Sequence, residues 1–226
     1  MSNYFSLILD TLAPGGVTLS INSNAAYAST QLVDLAIGCS DSVKTGYQMK
    51  IWGDVDTAYD ASIKATEVLS AWASYSATKQ IKLATGDGSK TVYLKIRDDV
   101  YNESAQVSDA ITLDTTLPFV TISVLPDVTK ISKVSGKDVC SFSFQVDAAF
   151  IEYKAKVVAS ISATQDIGTL IPITNGSTNM SGTGTFPSVT NISCTIKGTD
   201  LEAASSGDAT KIIKVFAKDV AGNWSV

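Results

Sequence analysis

The stretch "TVYLKIRDDVYNES", Thr91 to Ser104, returns later in the chain as "IIKVFAKDVAGNWS", Ile212 to Ser225. The two align with Arg97 on Lys218, Asp98 on Asp219, Asn102 on Asn223 and Ser104 on Ser225. Each copy opens on residues that alternate between apolar and polar, the period of a half-buried strand. Each closes on a short cluster of Asp, Asn and Ser, the residues that bend a chain by bonding their own backbone. A strand-and-turn unit that occurs twice divides the 226 residues into two domains, each long enough to bury a core of its own.

Working outward, an earlier strand is duplicated as well. "VDLAIGC" places Val33, Leu35, Ile37 and Cys39 on one face, and "CSFSFQVD" does the same with Cys140, Phe142, Phe144 and Val146. A third pair joins "SLILDTLAP", Ser6 to Pro14, to "AITLDTTLP", Ala110 to Pro118, which reads as a last strand running into a proline-stiffened hinge. Asn223 lies 121 residues after Asn102, whereas Pro118 lies 104 after Pro14, so the second copy is about 17 residues longer. The Gly/Ser/Thr-rich run "TNGSTNMSGTGTFPS" and its neighbours are the expected place for that excess. Helical pattern is scarce, with "ASIKATEVLSAWASY" the one stretch suited to a turn or two. The expected fold is all-β, two tandem β-sandwich domains: residues 1–11 a leading strand and hinge, 12–117 the first domain and 118–226 the second.

Composition narrows the function. The net charge is -5, and all of that excess falls before residue 118, so the clustered cations of a nucleic-acid surface are not expected. There is no histidine, which removes the commonest general base and metal ligand. Cys39, Cys140 and Cys194 lack zinc spacing, and Cys140 and Cys194 share an inward face where they are either buried thiols or a pair. No apolar run spans a bilayer and no secretory signal is legible, so no membrane partner is expected and a chain made in a cytoplasm is.

These residues resemble the immunoglobulin-like repeats of bacteriophage virion proteins and bacterial surface proteins. Those repeats carry a K-x-V-x-V-K-x-R-D strand, a G-N-x-S turn and an LDTTxP hinge. Gly86, Asp87, Gly88, Lys90, Val92, Tyr93, Lys95, Arg97, Asp98, Asn102, Ser104, Leu113, Asp114, Thr115 and Pro118 match here, as do Lys211, Lys218, Asp219, Gly222, Asn223 and Ser225. Tyr101 stands where the pattern has a turn glycine, so that turn is expected to differ. The resemblance implies an immunoglobulin-like fold and a non-enzymatic structural virion protein of a tailed bacteriophage: a capsid decoration protein or head fibre, then a tail accessory protein. Its partners would be other virion proteins such as the major capsid protein, and host-surface glycans. The alternatives are a module of a bacterial surface adhesin and a carbohydrate-binding module.

Candidate sites are few. "GDGSK", Gly86 to Lys90, lacks full phosphate-loop spacing and reads as a hairpin turn. Asp98, Asp99, Asn102 and Asp114 are weak calcium candidates, and Asp54, Asp56 and Asp60 another acidic group; otherwise no cofactor is expected. Asp98 and Asp219 also suit the turn after each strand. Trp52, Trp72 and Trp224 either stack sugars or cover sheet edges. No nucleophile-and-base set is legible, so no enzyme is expected. Finally, the second copy stops one residue after Ser225 with no counterpart of "AQVSDAITLD", which predicts an open edge in domain two. Tyr4, Phe5, Leu7 and Leu9, with Trp224, are therefore the interaction candidates: the leading segment either joins a neighbouring subunit's second domain or docks on a larger assembly. A short sheet or a fragment would explain the same pattern.

Overall fold

A computed structural model describes residues 4–226. The chain divides between Thr115 and Thr116 into two compact units.

In the first unit, β1 (Thr18–Ile21), β3 (Leu32–Gly38) and β6 (Thr78–Lys82) form one sheet in the order β1-β3-β6. The other sheet runs β2-β8-β7-β4-β5, from β2 (Tyr27–Ala28), β8 (Val107–Leu113), β7 (Gly88–Arg97), β4 (Gln48–Gly53) and β5 (Ala73–Ser74). Between the sheets lie Val33, Leu35 and Ile37 of β3, Ile51 of β4, and Val92, Leu94 and Ile96 of β7, all buried. The alternation read from the sequence is the alternation between core and solvent.

In the second unit, β9 (Val120–Val124), β10 (Val139–Val146) and β14 (Ile192–Lys197) form the sheet β14-β10-β9. The opposing sheet centres on β11 (Phe150–Val158), which pairs with β12 (Thr169–Leu170), β13 (Ser181–Phe186) and β15 (Ile212–Asp219). Phe142, Phe144 and Val146 face Phe150 and Tyr153, with the Phe144 and Tyr153 rings edge to face at 5.2 Å. Two face-to-face sheets, with strands crossing between them in this order, make each unit an immunoglobulin-like β-sandwich.

Four expectations are corrected. "GDGSK" is no hairpin: it carries the chain from β6 in one sheet to β7 in the other, and the Asp87 carboxylate accepts bonds from Thr115 N–H (2.9 Å) and Oγ1 (2.8 Å). "ASIKATEVLSAWASY" gives only a single 3-10 turn, Glu67–Leu69, before β5. A helix, α1 (Gly198–Ala204), arises instead between β14 and β15, where 14 residues (198–211) replace the five (83–87) linking β6 to β7. Part of the second unit's extra length is therefore outside the Gly/Ser/Thr-rich run. The leading segment is also no strand in this chain, since residues 4–10 join no sheet; residues 1–3 of the expected element lie outside the described residues.

Each copy of the repeat ends in the same turn. In the first unit Asp98 Oδ1 accepts the N–H groups of Val100 (3.0 Å) and Asn102 (2.8 Å), and Oδ2 accepts Asn102 Nδ2 (2.8 Å). Ser104 closes the ladder: its N–H donates to Ile96 O (2.8 Å) and its Oγ accepts Ile96 N–H (3.1 Å). In the second unit Asp219 holds Asn223 N–H (2.8 Å) and Nδ2 (3.0 Å), and Ser225 exchanges the same pair of bonds with Ala217. Asp98 and Asp219 are 1% and 2% exposed, so both buried side chains are satisfied by N–H donors of their own turn. The expected difference at Tyr101 is absent: it takes φ 71, in the same left-handed region as Gly222 at φ 100. Its ring is held by the Arg97 guanidinium at 4.3 Å, which offsets the strain of a side chain there.

Candidate interaction site

The sites weighed from the sequence are mostly absorbed by the fold. Asp98 and Asn102 bond one another in the turn, and Asp99 and Asp114 join them in no ligand set; among the described residues no cluster of three His, Cys, Asp or Glu forms. Asp56 pairs with Lys82 (2.7 Å) and Asp60 with Lys79 (2.7 Å), while Asp54 accepts Thr91 N–H (2.9 Å). Burial would raise the Asp60 carboxyl, but the Lys79 ammonium and the Ser62 donors outweigh it and hold it at about 2. Cys140 and Cys194 are free thiols on adjacent strands, one diagonal apart, and Cys39 is free too. Burial pushes Cys194 up to about 12, which leaves it an inert core group.

The tryptophans are likewise occupied. Trp52 is buried and stacked on Tyr93 at 5.7 Å. Trp72 receives Lys50 at 4.6 Å and Arg97 at 4.4 Å, and Trp224 receives Lys154 at 4.6 Å. Trp224 packs beside the cluster of Val158, Ala163 and Phe216 on the face of β15 turned away from the main core. It covers the sheet face rather than the open edge, so Trp52 is held by ring stacking and Trp72 and Trp224 by cation–aromatic contacts. Two open depressions, along β1 and β3 and between residues 131–134 and α1, gather no convergent set of reactive groups.

One buried carboxylate escaped the sequence reading. Asp200, wholly buried on α1, accepts Asn175 N–H (3.0 Å) and Nδ2 (2.8 Å), Ser177 N–H (2.9 Å) and Thr174 Oγ1 (3.1 Å). Burial would raise its carboxyl, but the donors of Ser177 and Asn175 hold it at about 2. It ties α1 to the loop before β13, and only the alignment of these distant segments reveals it.

What remains is an edge. In the first unit β7 lies between β4 and β8, with Leu94 opposite Val107, Val92 opposite Asp109 and Lys90 opposite Ile111. β8 also covers β1: its Asp109 carboxylate accepts Ile21 N–H at 2.7 Å. The counterpart of β7 in the second unit, β15, pairs with β11 on one side only, and among the described residues no strand lies on the other. Ser225 occupies the outward backbone groups of Ala217, so those of Val215 and Ile213, two and four residues back, line the unpaired stretch.

The apolar surface beside that edge is correspondingly bare. "VTLSI" in β1 corresponds to "VTISV" in β9, setting Leu19 against Ile122 and Ile21 against Val124. Ile21 is 0% exposed and Leu19 packs on the core; Ile122 is 41% exposed and Val124 54%. The β9 surface beside β15 is therefore uncovered at Ile122 and Val124, where β8 covers its equivalent. At the other end of the chain, Phe5, Leu7, Ile8 and Leu9 are each at least 85% exposed.

By strand order the chain thus has an immunoglobulin-like β-sandwich fold. No protein-family model matches it, and no curated protein does. Among solved structures it is similar to the fibronectin(III)-like modules of CbhA from Clostridium thermocellum, at 11% identity and TM-score 0.44, over 92% of this chain and 90% of that one. It is similar to the D00-D0 domain of intimin at 12% identity and TM-score 0.32, over 93% and 96%. The chitinase ChiA74 from Bacillus thuringiensis is a third, at 13% identity and TM-score 0.29; the match covers 92% of this chain and 30% of that one. At scores this low the fold rests on the strand order and pairing described above.

Proposed function

We propose that the chain is a non-enzymatic immunoglobulin-like module that joins protein surfaces, in the manner of a surface-adhesin segment. The observation that carries this reading is the open edge of β15 beside the uncovered Ile122 and Val124. An exposed edge with an apolar groove is a template for another strand, and proteins that do not use such edges cover or charge them. The buried carboxylates support the same reading, since Asp98, Asp200 and Asp219 are each spent on backbone donors and hold the scaffold.

A building block of a tailed-bacteriophage virion, such as a capsid decoration protein, head fibre or tail accessory protein, is the second reading. It is favoured by the strand-to-hinge motif "TVYLKIRDD" with "LDTTLP". Immunogold electron microscopy with an antibody to the chain separates the two. Label on the outer surface of intact source cells supports the adhesin reading, and label on phage particles purified from the same culture supports the virion reading. Label confined to the cell interior overturns both.

A further inference from the structure

The first unit contains, in working form, a strand that no described residue supplies to the second. In β8, Ile111 and Leu113 are 2% and 1% exposed and Asp109 reaches β1, so these three inward residues close the groove of the first unit. The segment before the first hinge repeats β8 at a distance of 104 residues, with Phe5 at the place of Asp109, Leu7 of Ile111 and Leu9 of Leu113. Unlike those of β8, its matching apolar side chains are uncovered, as Phe5, Leu7 and Leu9 stand 85% to 86% exposed.

The exchange at one position is informative. In the first unit Asp109 faces a backbone N–H beside a fully buried Ile21. In the second, the residue matching Ile21 is Val124, more than half exposed, and the candidate strand offers Phe5 instead of a carboxylate. An apolar ring is the better complement to bare aliphatic surface.

We propose that residues 4–10 of one copy of this chain insert antiparallel along the outer edge of β15 in a second copy, completing its sandwich by strand donation. The proposal rests on the reading of the chain as a surface-joining module and names its partner. The pairing of β7 with β8 sets the register when carried across the repeat. Val92 opposite Asp109 becomes Ile213 opposite Phe5, and Lys90 opposite Ile111 becomes Lys211 opposite Leu7. Phe5, Leu7 and Leu9 then enter the groove beside Ile122 and Val124, while the Ile213 and Val215 backbone groups gain partners. Because donor and acceptor are different surfaces, the contact is heterologous, and repeated use builds a ring or a polar filament.

The test uses the 226-residue chain and its Leu7→Asp/Leu9→Asp variant, whose substitutions fall on exposed side chains and leave both sandwiches intact. Light scattering across a concentration series is expected to show mass rising above a single chain for the parent, with complete loss of the larger species in the variant. Hydrogen exchange should find the Ile213 and Val215 amides protected in the assembly and open in the variant, which non-specific clumping would not produce. A synthetic peptide of residues 4–14 added to the variant should restore that protection and raise the melting temperature of the second unit by about 5 °C, with a scrambled peptide inert.

A parent that stays a single chain at every concentration, with β15 amides open, overturns strand donation. So does a single chain whose own segment protects its own β15, or an assembly that the variant leaves intact. Each of these leaves the immunogold result untouched, so a labelled cell surface with a monomeric chain refutes the donated strand alone. An assembling chain found only inside cells refutes the surface reading alone.

Discussion

The two units carry the same strand, the same turn and the same alternation of inner-face residues, and differ in what lies beside that strand. β7 has β8 next to it and β15 has no described strand on the matching side. Ile21 and Val124 occupy corresponding places, one sealed and one more than half exposed. The inner faces of two sheets pack in both units, with a strand described at that edge in one and none described in the other.

The largest expected contrast comes from placing a charge at the matched positions. Ile21→Asp puts a carboxylate into a filled core and should cost more than about 4 kcal/mol, abolishing the first unit's melting transition. Val124→Asp meets solvent and should cost under about 1 kcal/mol in a calorimetric scan of the monomeric Leu7→Asp/Leu9→Asp background. Equal losses would mean that the groove is closed in solution.

Next are the turns. Asp98→Ala and Asp219→Ala each strand several buried N–H donors and should cost about 3 kcal/mol. Because both carboxyls hold the backbone N–H and Nδ2 of the Asn four residues on, denaturant midpoints for the two units should fall by similar amounts. A difference above about 1 kcal/mol would show that β8 shares the load in the first unit.

At the fourth position of the turn the effects are smaller. Gly222→Ala forces a Cβ into φ 100 and should cost about 1 kcal/mol. Tyr101→Gly relieves strain but loses the Arg97 stack, so thermal melts should shift by less than about 0.5 kcal/mol.

The smallest effect at neutral pH is the acid response. Asp60 in one unit and Asp200 in the other both have carboxyls lowered to about 2 from 3.8. A lowered folded pKa contributes stability above the unfolded value, lost as pH falls through the folded one. Both units should therefore melt earlier between about pH 4 and 2, and Asp200→Asn should flatten that slope in the second unit alone.

Much of this was legible in the residues because period-two alternation and Asx turns are local. Val33, Leu35 and Ile37, or Phe142, Phe144 and Val146, declare their face by spacing alone, while Asp98 bonds Asn102 over four positions and Ser104 bonds Ile96 over eight. "GDGSK" misled because Gly-Asp-Gly fits a hairpin, while only the packing of two sheets turns it into an arch. α1 has seven residues and begins with Gly198, too short and too weak in propensity to declare itself. Asp200 was invisible because its partners, Thr174 to Ser177, lie more than 20 residues away. The leading segment was read as a strand by analogy with β8, yet a strand exists only with a neighbour, and the described pairings of this chain supply none.

The turn after β15 also bears on timing. Asp219 reaches Asn223 over four residues and Ala217 reaches Ser225 over eight, so these bonds close with little loop entropy. Contacts of such short separation form early and without help from a distant strand. A newly made chain can thus finish β15 and its turn before meeting another copy, and whatever pairs with the remaining edge arrives at a surface already set.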